Sequence, residues 1–163
     1  MAEPREYLIV RNLQDVLGRI AARDGYHYDV QAMAVKLDPD NDVEALIVPE
    51  GPRPFVLLET FMDDGPEDWE FQPAGVVQLT MPVSIYWVSE ADQTRDEERI
   101  AVFLRGCADV ERAIAADHSR GGLAVDTRIR RRRFRGAGAE VWAVVDVDIL
   151  VIRQYGEPDA QAD

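Results

Sequence analysis

Residues 123–155, LAVDTRIRRRRFRGAGAEVWAVVDVDILVIRQY, decide the fold. Leu123, Val125, Thr127 and Ile129 alternate with Ala124, Asp126, Arg128 and Arg130, the period of two that marks a half-buried strand. After Arg135-Gly136-Ala137-Gly138, a second arm sets Val141, Ala143, Val145, Val147, Ile149 and Val151 on one face. Trp142, Val144, Asp146, Asp148 and Leu150 fall on the other. The stretch predicts one long antiparallel hairpin whose odd-numbered residues share the core side. A turn centred on Ala137 puts Arg128 against Asp146. A turn centred on Gly138 puts Arg130 against Asp146 and Arg128 against Asp148. Either register pairs arginine with aspartate, and such cross-strand pairs contribute roughly 0.2–1 kcal/mol each. That is enough to choose a register and too little to carry the fold.

Upstream, residues 5–24 predict a first helix: Pro4 suits its start, Ile9, Leu13, Val16, Leu17 and Ile20 form one stripe, and Gly25 stops it. Tyr7, Leu8, Val10 and Ala21 widen the apolar arc, which reads first as a broad core contact and second as a subunit contact. Tyr26 to Leu37 reads as a strand, followed by the loop Asp38-Pro39-Asp40-Asn41-Asp42. Residues 43–48 and 55–61 are short β-like runs separated by a Pro/Gly cluster. Met62 to Gly75 is acidic, with Asp63, Asp64, Glu67, Asp68 and Glu70 around Trp69 and Phe71. Val76 to Val88 is a long strand with Val77, Leu79, Met81, Val83, Ile85 and Trp87 on one face; Pro82 within it suggests an edge position or a bulge. Thr94-Arg95-Asp96-Glu97 reads as a capping box opening a second helix. That helix has Ile100, Phe103, Leu104, Cys107, Val110 and Ile114 on its stripe, with Asp109 largely outside it. The order predicts an α+β fold: a mostly antiparallel sheet of about four to six strands with two main helices packed on one face. Residues 1–155 form one domain and 156–163 an acidic tail.

The chain's 163 residues carry a formal net charge of −13. Residues 128–135 contribute six arginines and no acid, so the rest sums to −19. Such acidity argues against a generic nucleic-acid binder and can hold a polyanion away from a surface. Residues 1–25 lack the layout of a signal peptide, and no apolar run approaches the ~20 residues of a membrane span. The single cysteine, Cys107, rules out an intrachain disulfide and suits a cytosolic assembly site.

Motifs for catalysis are missing from the sequence. Asp38-Pro39-Asp40-Asn41-Asp42 begins like an EF-hand loop, but the sixth position is Val43 and the twelfth Pro49. His27 and His118 have no ligand partner at metal-binding spacing, and Cys107 lies on an apolar stripe. There is no phosphate-binding loop, nucleophile elbow or dinucleotide-binding glycine pattern. Neither a catalytic residue, a metal nor a cofactor is expected.

Arg130-Arg131-Arg132-Arg133-Phe134-Arg135 is the strongest local anomaly. Read alone it resembles a phosphate patch. On a strand, however, alternation sends Arg131 and Arg133 one way and Arg130, Arg132 and Phe134 the other, which divides the cluster. A projecting arm whose arginines meet carboxylates of a neighbouring subunit fits better, since arginine forks match carboxylates, with a solvated hairpin tip balanced within the sheet as the next reading and nucleic acid the last. The acidic segment Asp63, Asp64, Glu67, Asp68, Trp69 and Glu70 is the complementary interface candidate.

The layout resembles that of tail-terminator (minor tail, tail-completion) proteins of long-tailed bacteriophages. The likeness runs through the opening helix Leu8–Ala22 into Gly25-Tyr26 and the strand-like Ala45-Leu46-Ile47-Val48-Pro49-Glu50-Gly51. It continues in Met81-Pro82-Val83-Ser84-Ile85-Tyr86-Trp87, the helix from Ile100 to Ala115 and the final strand Val145–Ile152. It is a likeness of element order across residues 5–155. What it implies is a virion structural protein, at work in the host cytoplasm during assembly and then at the head–tail junction. Copies would form a hexameric ring that caps the tail tube, stops addition of tube protein and offers a surface to head-completion proteins, with DNA passing through. Two alternatives remain: a head-closure or neck connector, and a small nucleic-acid-binding protein using the arginine hairpin.

Overall fold

The computed structural model describes residues 4–37, 50–60, 69–72, 76–92, 94–136 and 138–154. Helix α1 (Arg5–Gly18) leads through a 3-10 turn (Ala22–Asp24) to β1 (Ala32–Leu37). Then come β2 (Phe55–Thr60), β3 (Trp69–Gln72), β4 (Val76–Glu90), α2 (Asp96–Ala115), β5 (Asp126–Arg135) and β6 (Glu140–Gln154). The strands form one sheet in the order β1-β2-β4-β6-β5, and β3 pairs with the start of β4. Only β1 and β2 run parallel. The fold is α+β with a mostly antiparallel sheet.

Both helices cover one face. Ile9, Leu13 and Leu17 of α1 and Cys107, Val110, Ala113 and Ile114 of α2 pack with the odd-numbered residues of β4 and β6, from Met81 to Trp87 and from Ala143 to Val151. Fully burying one such aliphatic side chain contributes about 1.5–3 kcal/mol relative to leaving it exposed. This shared face holds the domain together. The opposite face carries a smaller cluster of Phe55, Leu57, Tyr86, Val88 and Val144.

Several local expectations are corrected. Helix α1 ends at Gly18, six residues early, and Gly25 (φ 88°) closes the 3-10 turn instead. Ile20 still reaches the core from the intervening bend. Tyr26 to Gln31 are not strand: the buried Asp109 carboxylate accepts the backbone N–H groups of His27 and Tyr28 at 2.9–3.0 Å and pins this segment to α2. Thr94 does not cap α2. Its hydroxyl and N–H both donate to Asp92, and the helix starts at Asp96 with Asp96, Glu97 and Glu98 in the first turn, where they favour the helix dipole.

The stripe of α2 is rotated from the expected one. Val102, Gly106, Cys107, Asp109, Val110, Ala113 and Ile114 are buried, whereas Ile100 and Leu104 are 57% and 47% exposed. Gly106 is the reason. A Cβ there would lie 2.6 Å from Trp87 Cδ1, so the missing side chain lets the helix sit directly on the indole. Ile100 and Leu104 lie more than about 100° around the helix from that contact and roll outward.

Pro82 occupies neither an outer strand nor a bulge, because β4 is central and its pairing with β6 runs unbroken from Val76 to Glu90. On its other side, β2 pairs residues 83–88 and β3 pairs residues 76–79. Pro82 falls in the gap between them, where a missing N–H costs little. The expected run at residues 43–48, the loop at 38–42 and the tail at 156–163 lie outside the described residues.

Candidate functional site

The β5–β6 hairpin has the register of a Gly138-centred turn at its base, with Arg128 opposite Asp148 and Ile129 opposite Val147. The register then shifts by one residue between Ile129 and Arg131, a β-bulge at Arg130. An extra residue reverses which side chains face which way from that point on. Arg131, Arg133 and Arg135 therefore oppose Asp146, Val144 and Trp142, on the face away from the helices. Arg132 and Phe134 oppose Val145 and Ala143, on the helix face.

The expected alternation holds from Arg131 to Phe134, with Arg131 and Arg133 one way and Arg132 and Phe134 the other; Arg130, at the bulge, departs from it. Arg128 and Arg130 precede or form the bulge, and they share the far face with those that follow. Arg130 approaches Asp148 at 3.7 Å, and Arg128 Nε donates to Asp126 at 2.7 Å. Five arginines and three aspartates line this face of one edge strand and its neighbour. Only Arg132 turns to the helices, where it forms a bidentate pair with Glu111 of α2.

Asp146 is the anchor of the cluster. Its side chain is only 3% exposed. It accepts from Ser84 Oγ at 2.7 Å, Arg131 Nε at 2.6 Å, and Arg133 Nε and Nη2 at 2.8 and 2.9 Å. Burial alone raises a carboxyl pKa, but the bonds from Arg133, Ser84 and Arg131 outweigh it and hold Asp146 down at about 2. Asp146 raises the pKa of Arg133 in turn. Beside them, burial and the Glu59 charge push Tyr86 up to about 12, with its hydroxyl donating to Glu59 at 3.3 Å.

Two arginines on one carboxylate leave a surplus of positive charge. Among the described residues, the Nη atoms of Arg128 and Arg131 have no hydrogen-bond acceptor, and these side chains are 73% and 57% exposed. Their forks present donors outward, in the geometry that takes carboxylates or phosphates bidentately. The arrangement is chemically suited to hold an anion.

The helix side of the same edge differs in character. Phe134 is 51% exposed and packs edge-on against Phe103, ring centroids 5.5 Å apart, with the Arg99 guanidinium over its ring. It lines an open hollow with Asp96, Arg99, Ile100 and Gly138, and a second one with Arg135, Gly136 and Trp142. Ile100, Leu104 and Ile129 extend the exposed apolar strip. Sequence periodicity missed Ile100 and Leu104 because it assigned both to the core.

Of the acidic candidate segment only the strand carrying Trp69 and Glu70 is described, and that strand lies away from the arginines within one chain. Trp69 and Glu70 belong to β3, paired with Leu79 and Gln78. Strands β4 and β6 separate β3 from β5, a distance of about 14 Å at ordinary strand spacing. Asp63, Asp64, Glu67 and Asp68 lie outside the described residues. His27, for which the sequence offered no carboxylate partner, meets the buried Asp109 with Nδ1 at 2.8 Å. Among the described residues no three histidine, cysteine or carboxylate side chains converge as metal ligands. Cys107 is buried, and desolvation raises its thiol pKa to about 11.

No protein-family model and no curated protein matches this sequence.

Proposed function

We propose that this chain is a structural protein of a long-tailed bacteriophage, a tail terminator whose copies form a ring on the head-proximal end of the tail tube. The element order that prompts the resemblance supports the reading. The observation that carries it is the segregation of charge: five arginines on the far face of one edge strand, in a chain that sums to −19 outside residues 128–135. A ring is closed by heterologous contacts, in which one flank of a subunit meets a different flank of the next. A protomer that is cationic along one edge and acidic elsewhere has the polarity such contacts need. A net acidic ring would also resist sticking of DNA in transit. A hexamer, with tube protein on one side and head-completion proteins on the other, is the assembly this reading expects.

Electron microscopy of lysates from a deletion of the gene tests it. Over-long, irregular tails detached from filled heads are the expected result. Tails of normal length that fail to join heads would move the protein to the head-closure or neck connector, and normal particles would remove both readings. The gathering of arginines by the bulge also favours a second reading, binding of nucleic acid by the hairpin. Asp126, Asp146 and Asp148 among the arginines and the −13 net charge oppose it. Duplex DNA retained with a steep salt dependence would support it.

A further inference from the structure

We propose that the β5 edge is a two-sided docking surface for a second copy of this chain, with Phe134 as its apolar anchor and Arg128 and Arg130 as its cationic rim. The assignment deepens the ring reading and rests on it for the identity of the occupant as a neighbouring copy.

Three observations converge on one edge. First, Phe134, Ile100 and Leu104 are about half exposed and lie on adjoining elements, Ile100 and Phe134 lining one hollow. Aromatic residues in such a position supply much of the contact energy at protein interfaces. Second, the hollow on the other side of Phe134 reaches Arg135 and Trp142, so the apolar strip continues directly into the arginine face. Third, the cationic rim is matched by the chain itself. Residues 37–52 contain five acids and residues 60–72 another five, and neither stretch has a basic residue. A copy of this protein is therefore an acidic partner by composition.

The bulge at Arg130 is what makes the surface. Without it, Phe134 would point to the far face and the arginines would divide between both sides. With it, apolar and cationic residues are sorted onto the two sides of one strand. The edge strand's outer backbone groups lie between them. Arginines at an edge also discourage unspecific strand pairing, so the partner must satisfy charge as well as shape.

The rim residues chosen for a test must not be those that hold the fold. Arg131 and Arg133 are bonded to the buried Asp146, so reversing them would damage the sheet. Among the described residues, Arg128 and Arg130 pair with the partly exposed Asp126 and Asp148.

The full chain is examined by sedimentation equilibrium and native mass spectrometry at about 1 mM, where even a millimolar contact is half-occupied. The expected result is association that Phe134→Asp weakens at least about tenfold. Arg128→Glu with Arg130→Glu weakens it similarly and flattens its salt dependence, while melting curves match the parent. A monomeric parent overturns the assignment. So does association indifferent to both variants, or retention of duplex DNA that the arginine variants abolish. The deletion phenotype judges the phage reading separately. Over-long tails with a monomeric protein would keep the terminator and remove this surface. Normal particles with association sensitive to Phe134→Asp would do the reverse.

Discussion

Replacing Asp146 by asparagine removes one charge from the centre of the β5–β6 hairpin and leaves the volume nearly unchanged. The folded carboxyl sits at about 2 against the 3.8 of an ordinary aspartate. At 1.36 kcal/mol per unit, that depression corresponds to about 2 kcal/mol of stability at neutral pH. Exposure calls for little discount, because the side chain is 3% exposed and Arg133 only 25%. Asparagine also presents an amide N–H₂ to one of the present donors, Ser84, Arg131 or Arg133, which adds a misfit. We expect a loss of about 2–3 kcal/mol, or a Tm lower by roughly 5–10 °C for a chain of this size. The pH dependence carries the sharper test. A depressed carboxyl stabilises the fold above its unfolded pKa and loses that contribution as pH falls through the folded one. Urea unfolding of parent and variant should therefore differ by a constant amount from pH 7 to about 5, and the difference should shrink between about pH 4 and 2. Arg133→Gln should cost more than Arg131→Gln, since Arg133 makes two bonds to Asp146 and is the better sheltered. A loss below about 0.5 kcal/mol, or one independent of pH, would refute the assignment of Asp146 as anchor.

Three further outcomes follow from the packing. Gly106→Ala drives a methyl into Trp87 and should cost about 1–3 kcal/mol, read by chemical unfolding together with a shift in indole fluorescence. Asp109→Ala leaves the His27 and Tyr28 amides without their acceptor, at about 1–3 kcal/mol; their hydrogen exchange should accelerate well before that of β4. Cys107, buried with its pKa raised to about 11, should resist an aromatic disulfide reagent at pH 8 in the native state and react at once in denaturant. Rapid native labelling would contradict its placement under α2.

Local periodicity alone made the buried faces legible. Alternation in residues 141–151 set the core face of β6, and the same period in residues 81–87 set that of β4. The apolar stripe of α1 from Ile9 to Leu17 was equally legible. Together these fit one sheet with helices over one face, an arrangement that buries both sets. The strand order and the parallel β1–β2 pair belong to the tertiary structure, because periodicity names a buried face and never the neighbour. The bulge was illegible for a different reason: in Arg130-Arg131-Arg132-Arg133 every residue is the same, so a one-residue slip leaves no mark in the pattern. Only the pull of the buried Asp146 on two guanidinium groups, and the packing of Phe134 on Phe103, show where the phase changes. The rotation of α2 was likewise decided by a contact across sequence, between Gly106 and Trp87. That contact turned Ile100 and Leu104 from presumed core into surface, and with them created the edge on which the proposed assembly depends.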